Sequence, residues 1–401
     1  MPRSTTPLIC TAATLLCLMP GRAHAINIVL DYTYDTNNFF GSGNPDGTAA
    51  GAQARATLES AADFFSDLLT DEFSPIVTPE PFVNGPATWT WDWEIRFTHP
   101  GTGSQLTIGD NEPNPSFAAD EYRIYAGGRS ISGNTLGIGG PGGFASSFGG
   151  SFFPSDRPAI DAISADFENA IQERGQTNGG FAAWGGAITF DTDAATNWHY
   201  DSATEPSFGE DDFFSVALHE LGHALGLGTA DEWDALVSGG NFLGAESVAS
   251  YGGAVPVVSG HWAEGVTSTV FGSPGTTQEA ALDPTITEGT RKVFTELDVA
   301  GLADIGWLIQ EPDPTVLGGD YNGDGFVGLA DLNLVLLNWG DSTIPPEWVN
   351  PDAWDGVQIS QNELNGVLLG WGNTSSSIAA IPEPSVLSLM GLAGLAVLRR
   401  R

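Results

Sequence analysis

Residues 211–226 read DDFFSVALHELGHALG. Phe214, Leu218, Leu221 and Leu225 recur at helical spacing. Asp211 or Asp212 can cap the start of that helix, and Gly226 can end it through a positive φ. A helix over 211–225 puts His219 and His223, four residues apart, on one face. Two ring nitrogens can then bind one zinc ion, with Glu220 beside them as the base for a zinc-bound water. A purely structural metal site has no use for that glutamate.

A catalytic zinc takes three protein ligands and keeps one position open. Of six histidines, His24 belongs to the leader described below, and His99 stands before Pro100-Gly101 at a turn. His261 lies beyond the helix, where the chain must return beneath the metal, and is the leading third ligand. His199, after a predicted strand, stays open as an alternative, as do Asp231, just past the helix, and Glu246, at a spacing near that of thermolysin-like enzymes.

The string HELGHALGLG at 219–228 resembles the zinc helix of the metzincin peptidases, HExxHxxGxxH. Residues 185–199, GGAITFDTDAATNWH, resemble the matrixin segment before that helix. The resemblance implies that this strand flanks the cleft and pairs with an extended peptide. Two departures stand out: residue 229, the usual third ligand, is threonine, and no methionine lies between Met19 and Met390. His261-Trp262-Ala263-Glu264, followed by Ala281-Leu282-Asp283-Pro284, resembles the leishmanolysin-like arrangement instead. There the third histidine comes from downstream and a methionine turn follows, which puts Leu282 in the methionine's place. Residues 297–307 resemble the closing helix after that turn, so the likeness covers about 185–307.

Around this motif the pattern mixes strands and helices without strict alternation, an α+β arrangement. Strands are expected at 26–32, 88–98, 121–126 and 186–191, and helices at 49–69 and 157–174. The glycine-rich stretch 127–150 is expected to be a long surface loop.

A Pro/Gly linker at 310–319 leads into Asp320-Tyr321-Asn322-Gly323-Asp324-Gly325. Asp320, Asn322, Asp324 and Asp331 fall at positions one, three, five and twelve of an EF-hand-type loop, with Phe326 at the seventh, where a backbone carbonyl ligates calcium. The run from Leu332 to Gly340 recurs from Leu364 to Gly372, 32 residues on. Two such units resemble a dockerin type I domain, here over about 320–373, which implies calcium binding and a cohesin-like partner. The second loop, from Asp352 to Glu363, is degenerate, with Trp354 third and Gly356 fifth.

Both ends read as addresses. Arg3, the apolar run Leu8 to Met19 and Ala23-His24-Ala25 make a secretory signal over 1–25. Residues 382–401 combine Pro382-Glu383-Pro384, an apolar run from Val386 to Leu398 and three terminal arginines. This resembles the PEP-CTERM sorting signal of Gram-negative bacteria, and implies export, transient membrane retention through the tail, and its removal by an exosortase-type enzyme. Cys10 and Cys17 both lie in the leader, so the body has no disulfide. A net charge of -37 argues against nucleic acid as a partner.

The sequence therefore describes an α+β, metzincin-like zinc-binding domain over 26–309, followed by a small α-helical, EF-hand-like domain. The expected activity is endopeptidase cleavage of peptide or protein outside the inner membrane, with Glu220 as general base. The alternative is an inactive peptidase fold kept as a surface or matrix binding protein.

Overall fold

The computed structural model describes residues 26–109, 114–174, 176, 181, 184–273, 276–310, 319–323, 325–349 and 359–370. The linker residues 311–318, Asp324, most of the second loop, the leader and the C-terminal tail lie outside these. No helix among the described residues is long and apolar enough to cross a membrane.

The chain runs through β1 (Asn27–Asp31), α1 (Thr48–Leu68), β2 (Phe82–Asn84), β3 (Ala87–Thr98), β4 (Gln105–Ile108) and β5 (Glu121–Arg129). It continues through β6 (Gly137–Pro141), β7 (Gly143–Gly150), α2 (Arg157–Glu173), β8 (Gly185–Asp191) and α3 (Phe213–Ala224). Short helices α4 (Asp231–Leu236) and α5 (Ala245–Tyr251) precede α6 (Glu296–Asp304). The result is the mixed α+β architecture that the sequence pattern implies, compatible with a metzincin-like domain.

The principal sheet has the order β1-β5-β8-β6. The first three strands are parallel and β6 runs antiparallel to β8, Gly137 opposite Phe190 and Pro141 opposite Gly186. All seven residues of β8 are buried, as suits a strand paired on both sides. This corrects two expectations. Residues 127–150 are not one long loop, because they finish β5 and build β6 and β7, which leaves only 130–136 and Gly142 outside strands. The strand at 185–191 is not the open edge that could pair with a peptide either, because β6 covers its outer side, and of its residues only Asp191 lines the cleft.

A second sheet joins β2, β3 and β4, with β7 pairing along β3 from Trp89 opposite Gly150 to Arg96 opposite Gly143. Its alternating tryptophans bury Trp91 and Trp93 against α2 residues such as Phe167. The main core packs α1, through Leu58, Ala61 and Phe65, with α3 and the principal sheet. The last turn of α3 is fastened from two sides: the Tyr122 hydroxyl donates to Ala224 O at 2.6 Å, and Trp307 Nε1 donates to Leu225 O at 2.8 Å. Gly226 follows at φ 100°, which supplies the stop expected of it.

The C-terminal segment has its own core of Tyr321, Val327, Val335, Trp348, Ile359 and Val367. Its helices are α7 (Leu329–Leu337) and α8 (Gln361–Gly370).

Candidate metal centre

Asp212, fully buried, begins the site by capping α3. Its carboxylate accepts the Ser215 N–H and hydroxyl, and it holds Arg291 bidentately, Nε at 3.0 Å and Nη2 at 2.7 Å. Ser215 Oγ in turn accepts the Lys292 N–H at 2.7 Å. The start of the helix is thereby tied to the segment that runs beneath it.

One turn on, His219 and His223 meet His261, which comes from the short strand His261–Trp262. The three Nε2 atoms stand 3.0 Å (219–223), 3.3 Å (219–261) and 3.0 Å (223–261) apart. Each Nδ1 faces a backbone carbonyl: Ala281 O at 2.8 Å, Leu227 O at 2.7 Å and Ser259 O at 3.0 Å, respectively. A carbonyl can only accept, so each Nδ1 carries the proton and each Nε2 presents a lone pair. Burial lowers all three histidine pKa values, His223 to about 4, which keeps the rings neutral. Neighbouring histidines lower His219 and His223 further. Three lone pairs converging without a proton between them repel unless a cation sits among them. Nitrogens at Zn–N distances of ~2.0–2.1 Å in a tetrahedral site are about 3.3 Å apart. The donor set therefore fits zinc.

The other candidates lie elsewhere. His199 turns Nε2 to Thr204 O at 2.8 Å. Asp231 opens α4, and Glu246 lies in α5, its N–H bonded to Asp304. Thr229 lines the cleft but turns its hydroxyl to His223 O at 2.6 Å.

Leu282 is buried below the helix, against the bare face of Gly222. The turn that carries it hangs from Asp298, a fully buried carboxylate in α6. Asp298 accepts Ala281 N–H (2.9 Å), Leu282 N–H (3.1 Å) and Trp262 Nε1–H (2.9 Å), together with the Thr295 N–H and hydroxyl. One carboxylate thus fixes the carbonyl that orients His219 and the residue next to His261. The Thr295-x-x-Asp298 spacing announces a helix cap in the sequence. That its carboxylate also serves two other segments is set by tertiary packing and has no local signal.

Above the histidines runs β6. The cleft between this roof and the 281–286 segment encloses about 840 Å³. Glu220 lies under the roof, almost wholly buried. Burial pushes its carboxyl up to about 8, against the opposing pull of the Gly139 N–H.

Residues 166–239 match the family model described as Matrixin, which spans the zinc helix and the strand before it. The match supports a zinc metallopeptidase of metzincin type. No curated protein and no solved structure matches the chain.

In the C-terminal segment, Asp320 and Asp331 are buried and already engaged by backbone. Asp320 Oδ2 accepts Gly325 N–H at 2.8 Å, and Asp331 accepts Asn322 N–H at 3.1 Å and Gly328 N–H at 2.8 Å. The Phe326 side chain is half-exposed, and Asp324 lies outside the described residues.

Proposed function

We propose that the chain is a zinc-dependent endopeptidase in which His219, His223 and His261 hold the metal and Glu220 is the general base. The convergence of three Nε2 lone pairs, each fixed by a backbone carbonyl, carries this reading. Zinc held there would act as a Lewis acid and lower the pKa of a coordinated water. Glu220 takes the proton of the water that attacks the peptide carbonyl and returns it to the leaving amine. Hydrogen bonds from Gly142 N–H to Gly185 O and from Asp191 N–H to Leu136 O set the phase of β6. Even-numbered residues pair with β8, so the backbone groups of Gly137 and the Gly139 carbonyl face the open edge, while the Gly139 N–H meets Glu220. An extended peptide can pair there, running above the histidines.

Metal content and hydrolysis of a generic unfolded protein test this together. Glu220→Ala should keep zinc and lose activity roughly 10²–10⁴-fold. Unchanged hydrolysis in that variant would exclude Glu220 as the base, whereas a zinc-loaded wild type that hydrolyses nothing would favour the non-catalytic alternative.

The same proposal includes export through residues 1–25 and loss of the 382–401 tail to an exosortase-type enzyme, supported by the composition of both ends. Mass spectrometry of native protein should lack Val386 to Arg401. It also includes calcium held by Asp320, Asn322, Asp324, the Phe326 carbonyl and Asp331, supported by their spacing, with a cohesin-like partner. No helical circular dichroism change at millimolar calcium would remove the calcium assignment.

A further inference from the structure

The glycines of β6 do two different things. A Cβ placed on Gly139 would lie 2.2 Å from Glu220 O and 2.9 Å from its carbonyl carbon. Those are backbone atoms of α3, so a side chain at 139 would lift the strand off the helix. A Cβ on Gly137 would instead meet Glu220 Oε1 at 2.6 Å, Cγ at 2.7 Å and Cδ at 2.8 Å. All three are side-chain atoms of the residue assigned as base. A Cβ on Gly140, in the same strand, meets nothing within 4 Å.

We propose that Gly137 is a positioning residue, whose missing side chain reserves the space in which the Glu220 carboxylate is held beside the histidines. The inference rests on Glu220 being the base, as argued above. The carboxylate is confined by α3 below and the backbone of β6 above, and the Gly139 N–H draws it toward the strand. No rotamer of a larger residue at 137 avoids this conflict, because the clash is made by Cβ itself. The Glu220 side chain must give way from Cγ outward, and its carboxylate moves with it.

The test compares Gly137→Ala with Gly140→Ala in full-length protein, by zinc content, crystallography and steady-state kinetics on an unfolded protein substrate. Gly137→Ala should retain zinc and KM, shift the Glu220 carboxylate away from the strand, and lower kcat by roughly 10²-fold, as for a displaced base. Gly140→Ala should match the wild type in all three. An unmoved carboxylate, unchanged kcat, or an equal loss in Gly140→Ala overturns the proposal. If the wild type hydrolyses nothing, the peptidase assignment fails, while the carboxylate position in Gly137→Ala still decides the steric claim. Should Gly137→Ala fail to fold, Gly137→Ala/Glu220→Ala should fold, because it removes the three atoms nearest the added Cβ; a double variant that stays unfolded overturns the inference.

Discussion

The floor and the roof of the cleft are built on opposite principles. The floor, α3 with His261, works through side chains, and each of its rings has one nitrogen fixed by a backbone carbonyl. The roof, β6, works through backbone and through side chains it lacks. Deleting atoms should therefore damage the floor, and adding atoms should damage the roof. The two halves also tolerate different errors. A floor residue fails when its lone pair or charge is lost, whereas Gly137 or Gly139 of the roof fails when a single methyl is gained.

The largest expected effect is on the floor. His261→Ala removes one of three converging Nε2 donors and leaves a two-histidine site. Zinc affinity should fall by several orders of magnitude and hydrolysis with it, whereas Asp231→Ala and Glu246→Ala should bind zinc as the wild type does. Competition with a chelator, followed by measurement of retained metal, separates the three variants. Equal affinity in His261→Ala and wild type would break the picture of the floor altogether.

Asp298 lies one layer further out and should give the next largest effect. Asp298→Ala strands the buried N–H groups of Ala281, Leu282 and Trp262, and each unpaired buried donor costs about 1–3 kcal/mol. Some relaxation is expected, so a loss of roughly 3 kcal/mol in denaturant unfolding is the estimate. Because the Ala281 carbonyl orients His219, zinc affinity should fall as well. A variant that lost stability but bound zinc normally would show that the turn is merely scaffold.

The contrast also explains what could be read from the sequence. The zinc helix was legible because helical periodicity, a capping aspartate and a terminal glycine all act within a few residues. His261 was reachable because histidines are few and a resemblance singled it out. The long strand at 87–98 was legible because its tryptophans alternate. The roof was not. Glycine has no side chain with which to mark a periodicity, so GIGGP looks like a loop until β8 pairs with it. Its reason for being glycine lies in Glu220, more than eighty residues away in the chain. The reading of 185–191 as the peptide-pairing edge failed for the same cause, since an unrecognised strand cannot be seen to cover its neighbour. Asp298 and Arg291 were missed because they act between segments far apart in sequence.

Thr229 should give the smallest effect, and it sharpens the distinction between a position and a ligand. It occupies the place where the HExxHxxGxxH string would put a third histidine, and it lines the cleft. Its hydroxyl nevertheless points to His223 O at 2.6 Å, a carbonyl at the end of α3. That bond is an additional one for a terminal carbonyl that already accepts the Gly226 N–H at 3.0 Å. Thr229→Ala therefore costs one local hydrogen bond, about 1 kcal/mol, and leaves the three Nε2 donors untouched. Zinc affinity should stay within about two-fold of the wild type, a difference of only ~0.4 kcal/mol, and the unfolding midpoint should drop slightly. The reverse experiment is stricter. Thr229→His restores the letter of the string, but His261 already supplies the third nitrogen. It should add no affinity, and Thr229→His/His261→Ala should recover zinc only if the loop after Gly226 can bring residue 229 to where His261 now stands. Full recovery would mean that the third ligand is exchangeable between loop and strand. No recovery would mean that the carbonyl-fixed His261 is built into the floor.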